Sequence, residues 1–174
     1  MPNKDLLHLT KRFFSSLNRT TPSASDENWV AQHLSENEMA LWSTMGPSDQ
    51  THSIAVAKMV DNEVPEDKTA VVAALLHDIG KTAVRSGLLL RVLAALARPL
   101  ASTERLDRWR SRGGPFLRLA ALINYPTVGS SLLAEAGSEE FVVRWAAQHH
   151  LRPEEWTVDS ERARVLRRAD SVAV

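Results

Sequence analysis

Apolar residues recur along this chain at the three- and four-residue intervals of an amphipathic helix and show no sustained period-two alternation of the kind a half-buried strand requires. Leu6, Leu7, Leu9, Phe13 and Phe14 form a first such set, and the turn-rich stretch Thr20 to Ser25, around Pro22, breaks it. Residues 26 to 45 read as one or two helices carrying Trp29, Val30, Leu34, Met39, Leu41 and Trp42, ended by Gly46-Pro47. Ser48 is placed to cap the next helix, which runs to about Val60 with Asp49 near its positive end. Pro65, Glu66 and Asp67 suit the first turn of a further helix. It continues into Ala70-Val-Val-Ala-Ala-Leu-Leu76, which is apolar on nearly every face and so belongs in the middle of a domain. Gly80 is expected to stop that helix as a left-handed terminator. More helices are expected over 84 to 97, 102 to 111, 115 to 123, 127 to 136, 139 to 149 and 159 to 172, separated by Pro99, Gly113-Gly114-Pro115, Pro126, Gly137 and Pro153. With no hairpin signal, internal repeat or linker, the pattern predicts an all-α, single-domain helical bundle.

Composition narrows the chemistry. A chain of 174 residues is long enough to bury one full core. Its 21 basic and 21 acidic residues cancel, which removes the global field that nonspecific nucleic-acid binding uses. The balance is uneven locally: arginines 91, 98, 105, 108, 110, 112 and 118 face only Glu104 and Asp107, a cationic stretch that suits either a phosphate or a solvated helix face. Cysteine is absent, so a bound metal must use nitrogen and oxygen ligands. Neither a secretory leader nor an apolar run of membrane-spanning length is visible, and a cytoplasmic protein is expected.

One position on the central helix is expensive. Directly after Leu75-Leu76 come His77 and Asp78, and a carboxylate buried beside an apolar run needs a paired charge or a cation. Adjacent helical positions diverge by about 100°, so both side chains can reach one ion only near a helix end. The dipeptide alone favours a structural His-Asp pair over a metal site. The longer stretch Leu75-Leu-His-Asp-Ile-Gly-Lys81 resembles the signature of the His-Asp (HD) phosphohydrolase superfamily. His52, in Asp49-Gln-Thr-His-Ser-Ile, stands where an upstream helix of that family supplies a first histidine, and Ala169-Asp170 resembles its late Ala-Asp pair. The resemblance covers about residues 48 to 172. It implies an HD domain over 46–174, with 1–45 an N-terminal helical extension packed on it, and His52, His77, Asp78 and Asp170 as ligands of one divalent ion such as Mn²⁺ or Fe²⁺.

Binuclear members of that superfamily carry a further His-Pro-x-x-Gly helix start and a later His-His pair. Here the pair is present as His149-His150, but Tyr125-Pro-Thr-Val-Gly129 has tyrosine at the other position, so one ion is expected, with Tyr125, His149 and His150 held for a second ion or for substrate. A Gly-Tyr-Pro signature of cyclic dinucleotide cleavage is absent. The implied activity is hydrolysis of a nucleotide or another small phosphate ester through a metal-bound hydroxide, with Asp78 orienting the water and Lys81 as the first phosphate contact. Arg167 or Arg168, beside Asp170, are alternative phosphate contacts. A sensor that binds a phosphate ligand without turnover is the rival reading, and an iron-dependent oxygenase a weaker third, which Tyr125 disfavours.

Overall fold

The computed structural model describes residues 21–83, 97 and 102–173, and within them every regular element is helical. The helices are α1 (Ala24–Ala31), α2 (Glu36–Ser43), α3 (Pro47–Glu63), α4 (Lys68–Leu76), α5 (Thr103–Arg112), α6 (Gly114–Ile123), α7 (Tyr125–Glu135), α8 (Glu140–Gln148) and α9 (Ser160–Val172). Two 3₁₀ turns, Ile79–Ala83 and Pro153–Glu155, complete the set. The apolar set of Leu6 to Phe14, the helix expected over 84 to 97 apart from Ala97, and Arg91 and Arg98 lie outside the described residues.

The all-apolar helix is central, as its composition requires. Ala70, Val71, Ala73, Ala74, Leu75 and Leu76 of α4 are all buried, and α4 is packed by α2, α3, α8 and α9. Val30, Leu34, Trp42 and Met45 belong to the same apolar cluster as α4, as do Val142, Trp145, Leu166 and Ala169. The short helices α1 and α2 are each started by a reciprocal capping box, Ser23 with Asp26 and Ser35 with Glu38. Glu38 is buried and also accepts from the Ser138 hydroxyl at 2.7 Å, which ties the start of α2 to the α7–α8 connection. Trp42 donates its indole N–H to Ser53 Oγ at 3.0 Å, linking α2 to α3 inside the core.

The helix starts and stops differ from the sequence reading at three places. Pro65 and Glu66 form a turn outside α4, which starts at Lys68 with Asp67 as its N-cap, its side chain accepting from the Ala70 N–H. Ser48 is not a cap: α3 begins at Pro47 with Gly46 as its N-cap, because a proline ring already has helical φ and lacks the N–H that a cap would satisfy. Gly80 is not a left-handed stop: among the described residues, only Gly113, Gly114 and Gly137 have positive φ. α4 ends at Leu76 with His77 still in right-handed geometry, and the chain tightens into the 3₁₀ turn through Gly80. Gly137 does end α7, with the Ser138 N–H on Leu133 C=O and the Gly137 N–H on Ala134 C=O.

The arginine-rich segment forms a side feature. α5 and α6 pack on each other around Leu106, Trp109, Leu119, Leu122 and Ile123, a cluster separate from the main core. Arg105, Arg108, Arg110, Arg112 and Arg118 are all exposed there. No helix among the described residues is long and apolar enough to cross a membrane.

Candidate metal centre

Three helix C-termini converge on one point: His77 caps α4, His149 caps α8, and Asp170 sits in the last turn of α9. The partial negative charge of helix C-termini favours a cation there. α3 adds His52, and α7 adds Tyr125 from its first position.

The two capping histidines are set identically. His77 Nδ1 lies 2.8 Å from the Ala74 carbonyl and His149 Nδ1 lies 2.9 Å from the Ala146 carbonyl, each three residues back along its own helix. A carbonyl only accepts, so in both rings Nδ1 carries the proton and, in the neutral imidazole, Nε2 presents a lone pair. The rings meet edge to face with centroids 5.2 Å apart. Burial takes the His149 imidazole down to about 3, repulsion from His77 adds to this, and attraction to Asp78 and Asp170 offsets only part of it.

Asp78 is the hub. It is only 2% exposed, and its two oxygens face different partners. Oδ1 accepts the Tyr125 hydroxyl at 2.6 Å, whereas Oδ2 is bonded by the Lys81 ammonium and lies 3.5 Å from His77 Nε2. Burial pushes its carboxyl up, but Lys81 and the imidazoles of His77, His149 and His52 together hold it well below the usual carboxylate range. Asp170 Oδ1 lies 3.0 Å from His52 Nε2 and 3.8 Å from His77 Nε2.

These spacings fit a divalent ion. Two ligand atoms on one six-coordinate ion, each about 2.1 Å from it, stand roughly 3 to 4.2 Å apart, and the separations of 3.0, 3.5 and 3.8 Å fall in that interval. His52, His77 and Asp78 each have a ligand atom within 4.8 Å of the other two. The set is two imidazoles and two carboxylates, suited to Mn²⁺, Fe²⁺ or a similar ion and leaving coordination positions open.

The remaining candidates have other partners. Lys81 reaches Asp78 from the 3₁₀ turn, stands 5.4 Å from the centre of the Tyr125 ring and is 3.9 Å from Asp49 Oδ1. Arg167 donates to the carbonyls of His149 and Leu151 at 3.3 and 2.8 Å, closing the end of α8. Arg168 pairs with Glu63 of α3 on the exposed surface. In this structure one terminal nitrogen of each arginine therefore ties helices together, Arg167 at the end of α8 and Arg168 between α9 and α3. Asp49 was read only as a helix-start charge, yet it faces Lys81. The available signal was its spacing three residues before His52, which puts both on one face of α3.

A family model described as HD domain matches residues 50–174. Among curated proteins and solved structures, nothing matches the chain.

Proposed function

The chain belongs to the HD-domain family, and from that premise we propose that it is a metal-dependent phosphohydrolase acting on a nucleotide or another small phosphate ester. The observation that carries this reading is the convergence of His52, His77, Asp78 and Asp170, from three helices, at 3.0 to 3.8 Å. A divalent ion there supplies Lewis acidity toward a phosphoryl oxygen and lowers the pKa of its bound water.

The chain's own residues prepare the rest. Asp78 keeps its charge although buried, because Lys81 and the imidazoles surround it, and Tyr125 orients it from one side, so its other oxygen would have a set direction in which to hold an ion and align water. Lys81 is the cationic group that exchanges partners: its ammonium neutralises Asp78 in the free protein and turns to a phosphate oxygen when substrate arrives. Its side chain is 20% exposed, enough for that movement on a flexible stem.

The test is a hydrolysis screen on protein stripped with chelator and reloaded with Mn²⁺, using nitrophenyl phosphate and nucleoside monophosphates. Phosphate release that depends on metal is expected. His77→Ala loses both the ion and the activity, by more than the ~10–100-fold that removing an outer partner costs. Lys81→Met keeps its ion and loses turnover. Tight nucleotide binding by the loaded protein without phosphate release would instead assign the sensor role.

A further inference from the structure

The cluster holds a second set of donors that the proposed centre leaves unused. One ligand atom from each of Asp78, His149 and His150 lies within 4.8 Å of the other two, and Asp78 Oδ1 and His149 Nε2 are 3.7 Å apart. Among them stands the Tyr125 hydroxyl, 2.6 Å from Asp78 Oδ1, 2.6 Å from His150 Nε2 and 3.2 Å from His149 Nε2. We propose that Tyr125 is a stopper: its hydroxyl fills a second divalent-cation site formed by Asp78, His149 and His150, and thereby holds the centre at one ion. The inference rests on the metal centre proposed above.

The hydrogen-bond inventory explains how a phenol replaces an ion here. A hydroxyl has one proton and two lone pairs. The proton goes to the Asp78 carboxylate, and a lone pair accepts the His150 Nε2–H. His149 Nε2 already carries a lone pair, because Nδ1 holds the proton against Ala146, so at 3.2 Å it has at most a share in a proton committed elsewhere. That nitrogen is buried, presents its lone pair and lies 3.2 Å from the hydroxyl, which is the arrangement a cation asks for. A phenol ordinarily keeps its proton at neutral pH, and a protonated phenol is a poor ligand. Tyr125 therefore satisfies Asp78 and His150 by hydrogen bonding and occupies the space before His149 Nε2, where an ion would coordinate all three side chains.

The position is rigid. Tyr125 is 4% exposed and is the first residue of α7. The backbones of Gly80 and Gly129 touch, so that a Cβ on Gly80 would fall 1.9 Å from the Tyr125 carbonyl oxygen. α7 is thus seated against the turn that follows Asp78, which sets where the Tyr125 backbone enters the cluster.

Native protein, Tyr125→Phe and Tyr125→His are stripped, then titrated with Mn²⁺ by calorimetry, with elemental analysis after desalting and circular dichroism to confirm folding. The native chain is expected to take one ion. Tyr125→Phe, which removes only the oxygen, gains a second and weaker binding event. Tyr125→His gains one at least about tenfold tighter than Phe, since a third nitrogen, the fourth donor in all, is added. Folded variants that still take one ion overturn the stopper and leave the first centre intact, whereas a native chain that takes no ion overturns the centre itself. The electron paramagnetic resonance of saturated native protein decides independently of any variant: the hyperfine pattern of an isolated Mn²⁺ supports the stopper, and a spin-coupled pair overturns it. A visible phenolate-to-metal band on ferric loading, lost in Tyr125→Phe, would make Tyr125 a ligand and overturn it too.

Discussion

At the ends of α4 and α8, His77 and His149 each return Nδ1 to a carbonyl of the preceding turn, and this small local bond selects the tautomer that presents Nε2 inward. For His149 the cost of that position appears in its protonation. Its folded value of about 3 lies below the ordinary 6.5. Between those values the unfolded chain binds more protons than the folded one, so stability rises with pH there. The contribution is fully present above about pH 6.5 and is lost progressively as pH falls toward 3, at up to about 1.4 kcal/mol per pH unit. Asp78, whose pKa is depressed, contributes stability that is lost only below the ordinary carboxylate range, so the two windows barely overlap. Denaturant unfolding of metal-free protein from pH 7 to 4.5 should show stability falling with acid, and His149→Gln should flatten that fall. An unchanged slope in the variant would mean that other groups carry the acid sensitivity.

Between elements, the decisive contact is the crossing of the 3₁₀ turn Ile79–Ala83 on the first turns of α7. Gly80 and Gly129 face each other there, and a Cβ on either would enter backbone atoms of the other segment: 2.7 Å from Gly129 N in one case and 2.9 Å from Gly80 N in the reverse. Neither glycine has positive φ, so the requirement is space and not backbone conformation. Gly80→Ala must push α7 away from the turn, with a loss of about 3 kcal/mol and a parallel loss of affinity at the first centre, since the turn that follows Asp78 is displaced. Gly46→Ala is the control: a Cβ there meets nothing closer than Asp49 Oδ2 at 3.8 Å, and the cost is under about 1 kcal/mol, from the N-cap preference alone. Equilibrium unfolding with metal titration measures both. Equal stability of the two variants would show that the crossing has slack.

At the scale of the whole molecule, the candidate ligands come from α3, from the end of α4 and from α9, so a bound ion cross-links the part of the fold that begins at Pro47 with the part that closes at Val172. An ion that binds only the folded chain stabilises it by mass action, about 2.7 kcal/mol at a free concentration one hundred times Kd. For a chain of this size that is roughly 5 to 10 °C in Tm. Thermal unfolding with saturating Mn²⁺ against chelator should show this rise, and His52→Ala and His77→Ala should abolish it. A rise that survives both substitutions would locate the bound ion elsewhere.

The sequence by itself determined the helical class and the identity of the central helix, because both follow from one-dimensional quantities: the period of apolar residues and the all-apolar run Ala70–Leu76. It also made the expense of Asp78 visible, since a carboxylate adjoining such a run must meet a cation, and Lys81, together with the surrounding imidazoles, meets it. Three things were decided only in three dimensions. Gly80 looked like a helix stop because stops and close crossings use the same residue, and only the approach of α7 distinguishes them. Arg167 and Arg168 neighbour Asp170 in the chain, but successive helical positions point about 100° apart, so one is drawn to the end of α8 and the other to Glu63. The Tyr125 hydroxyl reached Asp78 across 47 positions of sequence. No local pattern encodes that distance, because it is set by how the turn after α4 packs on α7.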